Sequence, residues 1–212
     1  FGVTEEELLD PNPADWLMFS RTFDNQRFSP LDEISKDNIG ELSLVWTRGM
    51  HPGTRQETIP LVHKGTMYVA HPRGIVQALD ATNGDLIWEY ERPMPIDVED
   101  YIGIERTRTL SLYEDKLLYA SPDGYVLALG TDGGELHWET QVHDYKLGIE
   151  YTTGPMVANG KMVTGRNCDD GTDVRETCFI AAHDAETGEE VWRFNVAAGD
   201  GEPGSETWGN KP

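Results

Sequence analysis

The sequence predicts an all-β fold that repeats one four-stranded antiparallel unit. Three eleven-residue segments, 78–88, 128–138 and 182–192, share Ala at their first position, Gly at their seventh and Trp at their eleventh. A pair of short apolar segments around a tight turn precedes each copy, and successive copies begin 50 and 54 residues apart. Periodicity of this length, with four strands in each period, is typical of a β-propeller in which every repeat forms one blade.

Each eleven-residue motif contains the last two strands of its blade. In the first copy, an apolar strand ends at Asp80, a turn contains Gly84, and a second strand leads into Trp88. Glycine has no Cβ, so it adopts the positive φ that tight hairpin turns require. The motif therefore predicts a hairpin with Trp on its second strand.

The apolar segments before each motif supply the first two strands of the blade. They cover residues 60–70, 110–120 and 155–165, and each contains a central turn such as Lys-Gly or Asn-Gly. A β-sandwich also places Trp on its strands, but it does not repeat one motif three times in phase. A degenerate fourth copy, residues 38–46, precedes the three clear ones and ends at Trp46.

Three blades and part of another form about half of a ring. Blades pack on their neighbours, so an open ring exposes two apolar blade faces to water. We therefore expect residues 1–212 to be the N-terminal part of a single propeller domain, with the remaining blades on another chain or fragment. Residues 199–212 are rich in Gly, Pro and Glu, and an exposed loop of this kind is where a protease cuts or a gene is split.

The composition is strongly acidic. The 212 residues include 38 Asp and Glu against 17 Lys and Arg, which gives a formal net charge of −21. Such a surface repels phosphate backbones, so nucleic acid is not an expected partner. The charge either keeps the protein soluble or steers a basic protein such as an electron acceptor. No apolar stretch approaches the roughly 18 residues of a membrane span, and residues 1–5 read like a mature end after processing.

The chain contains two cysteines, Cys168 and Cys178. They enclose a polar loop without His at metal-site spacing, so we expect a disulfide rather than a zinc site. The alternative is two unpaired, buried thiols. A bridge across so short a loop adds about 3 kcal/mol of stability in the chain-entropy model, and a disulfide indicates a compartment outside the cytosol.

The eleven-residue motif resembles the tryptophan-docking motif of quinoprotein alcohol dehydrogenases, which depend on pyrroloquinoline quinone (PQQ). Residues 15–22 and residues 27–34, which contain Phe-Ser-Pro-Leu, resemble the opening of that family. Residues 201–209 resemble the segment before its central quinone-stacking Trp. The resemblance covers essentially the whole chain. It implies an eight-bladed propeller with PQQ near the central axis, held by a calcium or lanthanide ion.

The resemblance assigns three cofactor-binding residues. Glu57, in Gln-Glu-Thr-Ile-Pro, matches a Glu that contacts the quinone, although a solvated Glu at a strand end gives the same pattern. Arg108 matches an Arg near the quinone, where a guanidinium forms bidentate bonds to the carboxylates of the cofactor. Arg106, two residues away, is the competing candidate. Thr152 matches a Thr that bonds a quinone carboxylate.

The metal ligand implied by the resemblance is Asp170. The family has a Glu ligand in the stretch that matches residues 165–171, and Asp170 lies at the corresponding distance from Gly165, with Asp169 adjacent. Hard cations prefer carboxylate ligands, but a surface Asp-Asp-Gly turn has the same sequence.

The chain departs from the family's pattern at one place. Many members carry two adjacent cysteines whose ring covers one face of the quinone, whereas residues 101–105 contain none. Either Ile102 or Ile104 covers that face, or the pocket is used differently. This departure leaves the details of electron transfer open.

The implied reaction is oxidation of an alcohol by hydride transfer to PQQ, with the metal ion as Lewis acid. The family's catalytic Asp and an Asn metal ligand belong to later blades, so no catalytic residue is expected in this chain. It also lacks a Cys-x-x-Cys-His haem site.

The implied partners are a second polypeptide that completes the propeller, a small alcohol, and an electron-acceptor protein such as a cytochrome c. The implied location is the periplasm. The alternative is a non-catalytic propeller scaffold like the outer-membrane assembly lipoproteins, which would lack the set formed by Glu57, Arg108 and Thr152.

Overall fold

The structure is a computed structural model that describes residues 2–53, 55–104, 108–149, 151, 153–166, 178–198 and 201–208. Within these residues, twelve β-strands form three separate four-stranded antiparallel sheets, and one short α-helix, α1 (Glu5–Leu9), precedes them. Single 3₁₀ turns cover Ile39–Glu41, Pro72–Gly74, Val98–Asp100, Tyr145–Leu147 and Ser205–Trp208. The predicted all-β fold and partial propeller are confirmed.

Each sheet is one of the predicted blades, and its strands follow one another as an up-and-down meander. The first blade contains β1 (Leu61–His63), β2 (Thr66–His71), β3 (Ile75–Asp80) and β4 (Leu86–Glu91). The second contains β5 (Ser111–Tyr113), β6 (Lys116–Ala120), β7 (Tyr125–Gly130) and β8 (Leu136–Gln141). The third contains β9 (Met156–Ala158), β10 (Lys161–Gly165), β11 (Phe179–Asp184) and β12 (Glu190–Asn195). The first strands of the second and third blades lie close together, since β5 contacts β9.

The repeated motif has the same register in every blade. Its Ala lies opposite its Trp: Ala78 pairs with Trp88, Ala128 with Trp138, and Ala182 with Trp192. Directly after each Ala, the register between the third and fourth strands shifts by one residue. A bulge of this kind bends the strand and increases its twist. The three tryptophans therefore occupy equivalent places on their blades.

The tryptophans of the first and second blades, Trp88 and Trp138, each pack on the turn of the next blade. The indole N–H of Trp88 donates to the carbonyl oxygen of Thr131 at 2.9 Å. Its ring lies against Gly134, where an added Cβ would come within 2.5 Å of Cε3. Gly134 also has a φ of 73°. Two independent requirements, a left-handed backbone and space for an indole, therefore explain glycine at the seventh position.

The same contact occurs at both neighbouring junctions. Trp138 donates to the carbonyl oxygen of Ala185 at 3.2 Å, which joins the second blade to the third. Trp46 donates to the carbonyl oxygen of Ala81 at 3.1 Å, which joins the degenerate copy to the first blade. The predicted fourth copy thus supplies a docking tryptophan, although residues 42–50 form no strand in the described part of the chain.

The N-terminal region packs along the first strands of two blades. Val3 exchanges two backbone hydrogen bonds of 2.7 Å with Glu114, in the β5–β6 turn. Trp16 forms a similar bridge with Val62 of β1, at 2.8 and 2.9 Å. Between these bridges, Thr4 and Glu7 form a capping box at the start of α1. The N-terminal segment is therefore fixed at the edge where the first strands lie.

The third blade exposes the face on which the next blade would pack. Trp192 is 44% exposed, whereas the equivalent Trp88 is 8% exposed. Phe194 and Val196, which alternate with Trp192 and so share its face, are exposed as well. Among the described residues, no helix has the length and apolar composition that crossing a membrane requires.

Candidate functional site

Two of the predicted cofactor-binding residues lie at the same end of adjacent blades. Glu57 precedes β1 and Arg108 precedes β5, so both stand where a first strand begins. The backbone also joins these segments, because the amide of Ile59 donates to the carbonyl oxygen of Arg108 at 2.8 Å. The start of the first strands is therefore the place where these candidate residues meet.

Glu57 and Arg108 form an ion pair. Nε of Arg108 lies 2.7 Å from Oε2 of Glu57, although 51 residues separate them in the chain. The two side chains are 39% and 40% exposed, so water and a ligand both have access to the pair. Within the described part of the chain, no hydrogen bond occupies the terminal nitrogens of Arg108. Among the described residues, therefore, nothing competes with an anionic group for these nitrogens.

Arg108 borders a cleft of about 370 Å³ along the first-strand edge. Met18, Phe19 and Phe23 of the N-terminal segment form one wall, and Pro155 of the third blade contributes to the other. Arg108 is the single charged side chain among the described residues that line it. An apolar cleft with one guanidinium suits a flat, apolar molecule that carries a carboxylate.

The wall from the third blade is tightly packed against the second. Ser111 donates its hydroxyl hydrogen to the carbonyl oxygen of Pro155 at 2.6 Å. A Cβ on Gly154 would lie 2.2 Å from Cγ2 of Thr109, so the two backbones approach closely there. Thr153 lines the cleft and donates to the carbonyl oxygen of Gly165 at 3.2 Å. This segment is consequently held beside Arg108.

Several predicted site residues lie outside the described residues. They are Thr152, Asp170, Cys168 and the competing Arg106. Tyr151 and Thr153, which flank Thr152, are described, and Thr153 lines the same cleft as Arg108. Cys178 is buried, and its disulfide with Cys168 stays a prediction. No group of three or more His, Cys, Asp or Glu side chains in the described ranges is arranged to hold a metal ion.

The two isoleucines at the position of the missing cysteines pack in a small separate cluster. Ile102 and Ile104 are both buried against Val98, with Met94 and Tyr145 at the margin of the cluster. Neither isoleucine lines the cleft beside Arg108. The prediction that one of them covers a face of the quinone therefore remains a prediction.

Sequence reasoning missed the wall formed by the N-terminal segment. That segment reaches the cleft through a compact loop in which Arg21, Asn25 and Arg27 have φ values of 70°, 57° and 53°. Non-glycine residues rarely adopt this conformation, and no sequence pattern marks them here. The Asp-Trp opening at residues 15–16 was a family signal, but it indicated no role in the site.

Comparison with known proteins supports the assignment of the fold and of the family. The sequence model of the PQQ glucose/ethanol/alcohol dehydrogenase β-propeller domain matches residues 16–212. The quinohemoprotein alcohol dehydrogenase ADH-IIG of Pseudomonas putida is 34% identical over 193 residues, which cover 90% of this chain and 26% of that enzyme. Its solved counterpart from Pseudomonas putida HK5 covers 94% of this chain and 30% of its own, with a TM-score of 0.80 and 30% identity.

Two further structures bear on the choice between an alcohol dehydrogenase and a non-catalytic scaffold. A europium-containing methanol dehydrogenase has a TM-score of 0.80 and 26% identity, covering 93% of this chain and 35% of its own. BamB from Moraxella catarrhalis has a TM-score of 0.51 and 18% identity, covering 73% of this chain and 40% of its own. BamB therefore shares the fold alone, and the scaffold alternative is not favoured. The chain spans about a quarter to a third of the dehydrogenases it matches, and it belongs to the PQQ glucose/ethanol/alcohol dehydrogenase β-propeller family.

Proposed function

We propose that this chain supplies part of the quinone pocket of a PQQ-dependent alcohol dehydrogenase. The observation that carries the proposal is the accessible ion pair between Glu57 and Arg108 beside an apolar cleft. The resemblance to the family assigns both residues to the quinone site, and this assignment is independent of their proximity in the structure. A cofactor with three carboxylates and a flat ring system matches a guanidinium set among apolar walls.

Arg108 and Glu57 have different roles in this proposal. The terminal nitrogens of Arg108 bind a quinone carboxylate, because Nε is already engaged by Glu57. Glu57 orients the guanidinium through its contact with Nε, and a carboxylate at this place can accept a hydrogen bond from a polar group at the edge of the ring. Thr152 is proposed to add a hydroxyl to the pocket, and Asp170 is proposed as a carboxylate ligand of a calcium or lanthanide ion.

The chemistry of the reaction comes from the bound groups. When bound, PQQ would supply the hydride acceptor, and a calcium or lanthanide ion would supply a Lewis acid. The residues of this chain bind and orient the cofactor and exclude water from the apolar side of the cleft. The base that removes the hydroxyl proton is expected on later blades.

We further propose that the working particle is a complete ring with a second polypeptide. Trp192, Phe194 and Val196 expose an apolar face, and burying such a face contributes about 25 cal/mol for each Å² removed from water. At the other end, the backbone of residues 43–50 makes no hydrogen bond to the backbone of other described residues. Both ends therefore offer surfaces that further blades would cover.

The substrate and electron acceptor follow from the same proposal. A small alcohol is oxidised, and electrons leave to an acceptor protein such as a cytochrome c. The net charge of −21 favours a basic acceptor, since opposite charges speed association. A periplasmic location is proposed because a Cys168–Cys178 disulfide persists only in an oxidising compartment.

Reconstitution tests the proposed function directly. The complete propeller, freed of cofactor, is expected to bind PQQ in the presence of Ca²⁺ and to reduce a dye acceptor when primary or secondary alcohols are added. The control omits PQQ. A complete propeller that binds no quinone with either calcium or a lanthanide would contradict the proposal.

A further inference from the structure

The first blade contains a buried polar side chain at a position that is apolar in the other two blades. Gln77, which immediately precedes the Ala of the motif, is 3% exposed. The same repeat position holds Leu127 in the second blade and Ala181 in the third, and both are fully buried. Burying an amide is costly unless it is hydrogen-bonded. A polar side chain at a position that is apolar in the other two blades therefore indicates a specific role for Gln77.

Both ends of the Gln77 amide have partners within the first blade. Its nitrogen donates to Oε2 of Glu89 at 2.5 Å, directly across the β3–β4 ladder. Its oxygen lies 3.0 Å from Nε2 of His71, a buried side chain. Burial lowers the pKa of His71, so its ring is neutral at pH 7. Because the side-chain oxygen of Gln77 can only accept a hydrogen bond, the ring proton of His71 lies on Nε2.

The polar cluster ends on His51, which lies outside the blade. Nε2 of His51 is 2.9 Å from Oε2 of Glu89, and its ring meets the ring of His71 edge-on at 4.9 Å. Because the amide nitrogen of Gln77 also donates to Glu89, the carboxylate accepts from both sides. Glu89 thus ties the segment that carries His51 to the body of the first blade.

The segment held by His51 leads directly to the candidate quinone pocket. Gln56 donates its amide hydrogen to the carbonyl oxygen of His51 at 2.7 Å. The next residue, Glu57, forms the ion pair with Arg108. A continuous series of hydrogen bonds and one peptide bond therefore connects the buried cluster to the ion pair.

We propose that His51, held by Glu89 and Gln77, is a positioning residue that fixes Glu57, and through it Arg108, for quinone binding. The inference rests on the proposed function, and it names residues that neither the motif nor the family resemblance indicated. His51 is not one of the residues that line the cleft. It therefore acts on quinone binding only through Glu57.

The test compares three variants of the complete propeller. His51→Ala removes the hydrogen bond to Glu89, whereas His51→Gln keeps a donor of similar reach. His137→Ala is the matched control, because His137 makes an equivalent contact of 3.1 Å with Glu135 on the second blade, away from the pocket. The dissociation constant of PQQ is measured by equilibrium dialysis with excess Ca²⁺, and the unfolding midpoint of the quinone-free protein is measured alongside.

We expect His51→Ala to bind PQQ about tenfold more weakly, which is the effect of one hydrogen bond to a charged group. His51→Gln restores most of the affinity, and His137→Ala binds like the parent. Equal affinity of His51→Ala and the parent would overturn the inference. So would a loss of affinity that His51→Gln fails to restore. A parent that binds no PQQ would instead refute the proposed function, and this inference with it.

If His51→Ala fails to fold, a second variant tests the positioning role. Gln77→Leu introduces the residue found at this position in the second blade, so the packing is retained while the amide is lost. Weaker quinone binding by a folded Gln77→Leu variant supports the positioning role. Unchanged binding overturns it.

Discussion

The guanidinium of Arg92, at the end of the first blade, lies 2.8 Å from the carboxylate of Asp123 on the second, and both side chains are buried. Glu139 of β8 accepts a further hydrogen bond from Arg92 at 2.7 Å. Burial alone would lower the pKa of Arg92, but hydrogen bonds to Glu139 and Asp123 raise it overall, so the guanidinium stays charged. Two blades are thus joined by a desolvated ion pair in addition to the docked tryptophan.

Replacing Asp123 by Ala is expected to destabilise the complete propeller by about 3 kcal/mol, because it leaves a buried guanidinium with one partner fewer. Urea unfolding followed by circular dichroism measures the effect. The control is Arg73→Ala, which breaks an exposed pair with Glu99 and should change stability by no more than about 0.5 kcal/mol. Equal unfolding midpoints for both variants would show that the buried pair contributes nothing.

Replacing Gly134 by Ala tests the docking contact of Trp88. The left-handed backbone costs about 1–2 kcal/mol for alanine, and the added Cβ would press on the indole at 2.5 Å, so we expect a total loss of about 2–5 kcal/mol. Gly65→Ala is a matched control, since Gly65 has a φ of 83° but nothing within 4 Å of its Cβ position. A loss of the same size in both variants would exclude the packing contribution.

The contrast between these two glycines shows what the sequence can predict. The turn itself is a local feature, and the spacing of Ala, Gly and Trp was enough to place the hairpin and the blade. The contact of Gly134 with Trp88 joins two blades, and the packing of the 45 intervening residues sets it. The need for glycine at that point could therefore be predicted only in part.

The candidate site also combines features that the sequence predicts with features that it does not predict. Glu57 and Arg108 could be selected because each precedes a first strand and matches a family residue. Their ion pair could not be predicted, because it depends on the angle between two blades. The wall formed by Met18, Phe19 and Phe23 also could not, because it requires a loop with left-handed non-glycine residues that no local pattern marks.

Arg108→Ala is expected to weaken the affinity of the complete propeller for PQQ by at least a hundredfold. It removes the one charged group described in the cleft and leaves a carboxylate of the ligand without its cation. Equilibrium dialysis with excess Ca²⁺ measures the change. Unaltered affinity would make Arg108 a surface residue, and Arg106 would become the candidate to test.

The predicted disulfide is tested by mass. Reduction of a Cys168–Cys178 bridge adds two hydrogens, so intact masses measured with and without reductant should differ by that amount. Alkylation of the native, unreduced protein should modify neither cysteine. Two alkylated thiols would refute the bridge and remove the main support for an oxidising compartment.

The last prediction concerns assembly of the complete ring at the exposed Trp192. The exposed Trp192 has the same place in its blade as Trp88 and Trp138, which each pack on a glycine and donate to a carbonyl of the next repeat. We expect a further blade to offer Trp192 the same two contacts. Denaturing electrophoresis of the active particle should then show a second polypeptide larger than 23.8 kDa.

Substitution at Trp192 provides a direct measure of that missing interface. Trp192→Ala should weaken association of this chain with the second polypeptide, because a docked indole buries a large apolar area and fills a pocket over glycine. Trp138→Ala is not a suitable control, since it disturbs a contact within the chain; Leu86→Ala, on an exposed edge strand, is preferable. Sedimentation velocity measures the association. A stable, monodisperse 23.8 kDa monomer would contradict the open-ring argument, because its apolar face would then be tolerated in water without a partner.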